Sequence, residues 1–325
     1  MQKICVITTG GTIASMHEPS SGHVTASISG FDLHASLQNL PDGIDVTIDE
    51  FCKMGSYAMD LSLSFSLAQH ISSRLKEGFD GVVITHGTDT MEESAFMADL
   101  VVRSDKPIVF TGAQHTADDP NADGPQNILD AIRVAASDLV HGMGSMICFN
   151  HEFHAARDVS KTHTSRTDTF LSGEHGALGD VDGDRVVVHR TPILQRSYDV
   201  AHIETEIELI KLAMGSNERY LKFAFESGVR AIVLEGFGRG NAPPVVTQTA
   251  IELIQKGIYI IMTSRCPRGR VKPVYGNGGG KTLAEGGIVF AGDLSGQKAR
   301  VLLSVLLGMN LSDKQLRDEI SYLGG

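Results

Sequence analysis

The chain is short of basic residues, of cysteine and of long apolar runs, and each shortage removes a class of function. Its 28 Lys and Arg face 39 Asp and Glu, a formal net charge of −11 at pH 7. A general binder of nucleic acid or of an anionic membrane wants a basic face, so neither partner is expected. The four cysteines (Cys5, Cys52, Cys148, Cys266) lie far apart without C-x-x-C spacing. Cys5 and Cys148 sit inside apolar, strand-like runs and read as buried reduced thiols, so no zinc site is expected. No apolar run approaches the ~20 residues needed to span a bilayer. Met1-Gln2-Lys3 leads directly into a strand pattern without a leader-like apolar stretch, which makes a cytoplasmic protein the expectation. There is no internal repeat, no low-complexity tract, no Gly-x-Gly-x-x-Gly fingerprint and no P-loop, and no cofactor is implied.

Glycine, by contrast, is plentiful at 35 residues, and it gathers at strand ends and turns. A length of 325 residues allows one large or two medium domains. Apolar runs at 3–8, 81–85, 107–111 and 145–149 read as strands. Segments 61–76, 91–103 and 127–139 read as helices, with Leu61, Phe65, Ala68 and Ile71 spaced for one face. This βαβ alternation predicts an α/β fold with a mostly parallel, Rossmann- or flavodoxin-like sheet covered by helices. The pattern stops in a polar stretch and resumes with strands at 229–234 and 258–262 and helices near 247–256 and 295–309. The expected organisation is a larger N-terminal α/β domain over 1–195, a linker over 196–212 and a smaller C-terminal α/β domain over 213–325. Breaker-rich stretches at 16–30 and 112–126 read as loops at the ligand edge of the first sheet, the former either a lid or a plain surface connection.

Two strand ends carry candidate chemistry. Ile4-Cys5-Val6-Ile7 runs into Thr8-Thr9-Gly10-Gly11-Thr12, and Val82-Val83-Ile84 into Thr85-His86-Gly87-Thr88-Asp89-Thr90. Ligands bind outside the carboxyl ends of strands in open α/β sheets. Each motif sets a Thr hydroxyl there, and a hydroxyl needs a base and oxyanion donors to act as a nucleophile. Gly10-Gly11 fits close substrate approach as well as an ordinary turn, and Thr88-Asp89 fits both a site and a helix cap. Lys161, alone among small polar residues in Asp158-Val159-Ser160-Lys161-Thr162, fits a desolvated base or a solvated surface charge. His151, His154 and His163 lack the helical His-Glu-x-x-His context of a metal site.

Taken in order, these stretches resemble the bacterial-type L-asparaginase/glutaminase family. The matching motifs are Thr9–Ala14, Thr85–Glu93, Asn121–Asn127, Asp158–Thr162, Gly238–Asn241, Ser264–Gly269 and Gln297–Arg300. The resemblance implies a Thr-dependent amidohydrolase. Thr12 would attack the side-chain amide carbon to form an acyl-enzyme, with Thr88 and Lys161 activating the hydroxyl in attack or deacylation. Asp89 would hold the substrate α-amino group and Ser56 its α-carboxylate. Asn241 would reach the site of a neighbouring subunit in a homodimer or homotetramer; as residues alone it also reads as an ordinary turn residue beside Pro243-Pro244.

The chain departs from the family pattern in three places. No Tyr precedes Tyr57, so the loop tyrosine that polarises the nucleophile is missing; His23 is either its replacement or a plain loop residue. Tyr57 follows Ser56 where a polar amide or acid is usual, adding bulk at the substrate head or a packed aromatic at a loop edge. Val271–Lys281 holds no carboxylate to share the α-amino group. The expected reaction is hydrolysis of a small carboxamide, with L-asparagine the first substrate and L-glutamine, a D-amino acid amide or a non-amino-acid amide the alternatives. A non-catalytic amino-acid-binding homologue and an ammonia-passing component of an amidotransferase are the competing readings.

Overall fold

The computed structural model describes residues 1–11, 15–17, 24–26, 40 and 42–325, with backbone only for 15–17 and 24–26. Two compact units, Met1–Ser197 and Tyr198–Gly325, make up the chain. The first begins with β1 (Gln2–Gly10), the short antiparallel pair β2 (Ser15–His17) and β3 (Val24–Ala26), then β4 (Ile44–Met54), α1 (Leu61–Lys76), β5 (Gly81–Thr85), α2 (Met91–Val101), β6 (Ile108–Thr111) and α3 (Gly124–Ala135). It continues with β7 (Ser145–Phe149), β8 (Glu152–Ala155), β9 (Ser160–Lys161), β10 (Phe170–Leu171), β11 (Gly179–Asp182) and β12 (Arg185–Val188).

Eight of these strands form one sheet in the order β12-β11-β8-β7-β6-β5-β1-β4. The five from β7 to β4 run parallel, and β8, β11 and β12 extend the edge antiparallel. The parallel centre explains the near-continuous apolar runs, since both faces are covered. Ile4 and Val6 join Val83, Val109 and Met146 in a core with Ile128, Ala131 and Ile132 of α3. Cys5, Ile7, Val82 and Ile84 alternate to the opposite face and are just as buried. α1 and α2 pack on one another and on β5, β6 and β7, burying Leu67, Ile71, Phe96 and Leu100.

Three expectations are corrected in this unit. The 16–30 stretch is not all loop, because β2 and β3 pair within it. The helix expected over 127–139 starts at Gly124 and ends at Ala135, with Pro125 in its first turn and a separate short turn at Asp138–Val140. β4, an eleven-residue strand, has no counterpart among the expected strands.

The second unit holds β13 (Ile207–Lys211), α4 (Arg219–Glu226), β14 (Ala231–Gly236), α5 (Pro244–Gln255), β15 (Tyr259–Ser264), α6 (Gly280–Glu285), β16 (Val289–Phe290), α7 (Gly296–Leu307) and α8 (Asp313–Leu323). Its four strands are all parallel in the order β13-β14-β15-β16. Leu221, Val246, Ala250, Leu253 and Leu283 from α4, α5 and α6 cover one face, against Ile232, Leu234, Ile260 and Met262. The stretch expected as a linker over 196–212 contains β13, which pairs along its length with β14. No described helix is long and apolar enough to cross a membrane.

Candidate functional site

Strand order reverses at β1: the chain passes to β4 on one side and to β5 on the other. The crevice between the carboxyl ends of β1 and β5 is where such a sheet receives a ligand. The two strand ends are tied by the Thr9 hydroxyl, which donates to the Thr85 carbonyl at 3.0 Å. Beyond them the backbones converge. Gly11, at φ +85°, would put a Cβ 2.6 Å from the Gly87 nitrogen, and Gly87 one 2.5 Å from the Ser56 Oγ. Only glycines allow the loops after β1, β4 and β5 to meet this closely.

The loop after β5 delivers Thr88 and Asp89, and β9 delivers Lys161. Lys161 Nζ donates to Thr88 Oγ1 at 2.8 Å and to Asp89 Oδ1 at 2.9 Å. Thr88 is buried, the Lys161 side chain only 14% exposed, and Asp89 open to solvent at 57%. Lys161 thus directs its N–H donors at the Thr88 oxygen and the Asp89 carboxylate together. A hydroxyl beside a shielded ammonium ionises more readily than one in water. Ser56, also buried, sits at the same junction: its Oγ accepts the Asp89 N–H at 3.2 Å and its carbonyl accepts the Thr90 hydroxyl at 2.8 Å. Tyr57 is 82% exposed, and its ring lies over Gly55.

The structure therefore brings Ser56, Thr88, Asp89 and Lys161 together. Thr12 and His23 lie outside the described residues. Asn241 belongs to the second unit, where its Oδ1 accepts the Gly280 N–H at 3.0 Å and its backbone bridges to Phe237.

Sequence reasoning missed Gln114 and Asp123. The Thr88 hydroxyl donates to Gln114 Oε1 at 3.4 Å, and Gln114 Nε2 donates to the Arg166 carbonyl at 3.1 Å. Asp123 accepts the backbone N–H groups of Gln114 and His115 and the Asn127 amide. The signal available was the breaker-rich loop 112–126 after a strand, which marked the place without singling out a side chain.

His86, between the two site threonines Thr85 and Thr88, is fully buried, and burial pulls its imidazole down to about 4. Its Nδ1 donates to the Gly87 carbonyl at 2.7 Å, and Nε2 has no partner among the described residues. The ring is thus a neutral filler that braces the Thr85–Asp89 turn. Among the described residues no group of three or more His, Cys, Asp or Glu is placed to hold a metal ion. His151 pairs with Asp130, and His154 with the Ser172 hydroxyl. A cavity of about 250 Å³ lined by Asp99, Ile108, Ser145 and Gln195 lies at the opposite, amino edge of the sheet, away from this chemistry.

A parallel α/β sheet with hydroxyl, ammonium and carboxylate clustered at its switch point defines a class of enzyme acting on a small polar substrate. Residues 3–194 match the family description "Asparaginase, N-terminal" and residues 206–319 match "Glutaminase/Asparaginase C-terminal domain". The chain belongs to the asparaginase family of amidohydrolases. It is 32% identical over 308 residues to an L-asparaginase of Bacillus licheniformis, covering 94% of this chain and 95% of that protein. It is 33% identical over 340 residues to one subunit of the glutamyl-tRNA(Gln) amidotransferase of Halobacterium salinarum, covering 99% of this chain and 78% of that one. The crystal structure of a probable cytoplasmic L-asparaginase from Campylobacter jejuni matches with a TM-score of 0.91 at 29% identity, covering 99% of this chain and all of that one.

Proposed function

We propose that the protein hydrolyses the side-chain amide of L-asparagine to L-aspartate and ammonia through a covalent threonine ester. The reading rests above all on the Lys161 Nζ–Thr88 Oγ1 contact of 2.8 Å, made across 73 residues of chain. In the proposed reaction the Thr12 oxygen bonds to the amide carbon, the C–N bond breaks, and the nitrogen leaves as ammonia carrying the hydroxyl proton. Water then adds to the ester carbon, the C–O bond to Thr12 breaks, one water proton returns to the Thr12 oxygen, and the acid departs as the carboxylate with the other proton taken up by the ammonia. The Thr88–Lys161 pair moves the proton in attack or in deacylation. Asp89, exposed at the crevice mouth, binds the substrate ammonium, and Ser56 faces the α-carboxylate. Tyr57 borders the substrate head.

The protein acts as a homo-oligomer in which Asn241 approaches the site of a neighbouring copy, and it works in the cytoplasm. The family relatives named L-asparaginase support the substrate, and the long match to a component of an amidotransferase supports a second reading in which the ammonia passes to a partner.

The decisive measurement is ammonia release from L- and D-asparagine, L- and D-glutamine and simple amides, with intact mass after rapid quench. Thr12→Ala should abolish both turnover and the acyl adduct. Thr88→Val and Lys161→Met should each lower kcat by about 10²–10⁴-fold. Unchanged turnover in Thr12→Ala and Thr88→Val would sink the mechanism. Full activity of the purified homo-oligomer, with free ammonia released, would exclude the partner-dependent reading.

A further inference from the structure

Thr88 has one hydrogen and two oxygen lone pairs, and two neighbours, Lys161 and Gln114, compete for them. While Lys161 is an ammonium it donates to Thr88 Oγ1, so the Thr88 proton must point elsewhere. The acceptor it meets is Gln114 Oε1, at 3.4 Å. Gln114 is itself held by two neighbours, Asp123 and Arg166. Its N–H donates to both oxygens of Asp123 at 3.1 Å, and its Nε2 donates to the Arg166 carbonyl at 3.1 Å. Arg166 lies in the turn joining β9 to β10, where Lys161 stands opposite Phe170. Asp123 is anchored in turn by Asn127 Nδ2, which also donates to the Gly112 carbonyl at 2.9 Å. The carboxamide thus spans the site from the turn that follows Lys161 to the hydroxyl that Lys161 touches.

We propose that Gln114 is a positioning residue for the reaction: its amide oxygen accepts a hydrogen bond from the Thr88 hydroxyl in the resting state, holding an oxygen lone pair toward Lys161. The inference rests on the amide-hydrolysis reading given above. It has a definite sign. When Lys161 loses its proton, the Thr88 hydroxyl turns to donate to the freed Nζ lone pair, and Gln114 Oε1 is left without that donor. Gln114 therefore favours the resting, ammonium arrangement over the arrangement in which Lys161 takes the Thr88 proton.

Other charged groups stand on the segments that carry Thr88, Gln114 and Lys161. Asp89, Glu92 and Glu93 stand after β5; His115, Asp119 and Asp123 after β6; Arg157 and Asp158 before Lys161; and His163, Arg166 and Asp168 after it. A change at position 114 that introduces no charge leaves all of them in place.

The test is Gln114→Met, which keeps the length and removes the amide, made alone and in a Thr88→Val background. The Lys161 side chain is followed by NMR titration, which needs no turnover, and kcat and KM are measured against pH. In the chain that retains Thr88, Gln114→Met should move the Lys161 titration midpoint and the rising limb of kcat to lower pH by about half a unit. In Thr88→Val the same substitution should move the midpoint far less, because the coupling runs through the missing hydroxyl. A midpoint that does not move, or that moves equally in both backgrounds, overturns the proposal; a merely structural strut would depress kcat at every pH and leave the midpoint where it was. If the unmodified protein releases no ammonia from any amide, the hydrolysis reading fails, while the titration still decides the role of Gln114.

Discussion

At the scale of single residues, His86 links the site to the stability of the fold. Its imidazole sits at about 4 in the folded chain because it is fully buried, against about 6.5 when unfolded. Between those values the unfolded chain binds the extra proton and the folded chain does not, so stability falls as pH drops from about 6.5 toward 4 and is fully present above that window. The loss amounts to about 3 kcal/mol at most. Urea denaturation across this range should show the slope in the parent protein and a flatter one in His86→Asn, which keeps a donor near the Nδ1 position; parallel slopes would refute the assignment. The thiols offer a simpler check. Burial pushes Cys5 up to about 12, with Asp49 adding to it, and raises Cys148 well above the ordinary range, whereas Cys266 is exposed. A thiol reagent should label Cys266 rapidly in the native protein and leave Cys5 and Cys148 unlabelled until it is denatured.

At the scale of elements, strand-end glycines and helix caps separate shape from chemistry. Gly11→Ala adds a Cβ at positive φ that meets the Gly87 backbone, so it should cost about 2 kcal/mol or more and lower activity together. Asp60→Ala removes the cap on α1, where Oδ1 accepts the Leu63 N–H at 2.7 Å. It should cost about 1 kcal/mol and leave kcat alone. Denaturation midpoints read beside ammonia release distinguish the two. The central strands were legible because burial on both faces demands unbroken apolar runs such as Val82-Val83-Ile84. β4 was not, since it is an edge strand whose half-buried pattern admits Asp45, Asp49, Glu50 and Lys53. β13 is likewise an edge strand, sitting in polar sequence. Within the site, Ser56, Thr88, Asp89 and Lys161 could be found because each stands in a short contiguous motif. Gln114 could not, because what distinguishes it is a pair of contacts reaching 26 residues back and 52 forward, with no local pattern.

For the molecule as a whole, charge is divided unevenly. Residues 1–197 hold 26 acidic against 13 basic side chains, while residues 198–325 hold 13 against 15. Arg239, Arg265, Arg268 and Lys272 are exposed in the loops that follow β14 and β15. An assembly in which these cations meet the acidic unit of another copy loses that attraction once screening shrinks the Debye length to a few ångströms. Light scattering on a sizing column should therefore show self-association weakening between low salt and about 1 M. Association that strengthens across that range would point to apolar contacts instead.

The meeting of Gly11, Gly87 and Ser56 restricts how this site can diversify. Three loops from three strands share one space with no room for a methyl group, so none can be reshaped by substitution without displacing the other two. New specificity must come from side chains at the margin of that contact. Tyr57, which projects into solvent, and Gln114, which reaches in from the loop after the neighbouring strand β6, are where a laboratory library aimed at other amides should begin.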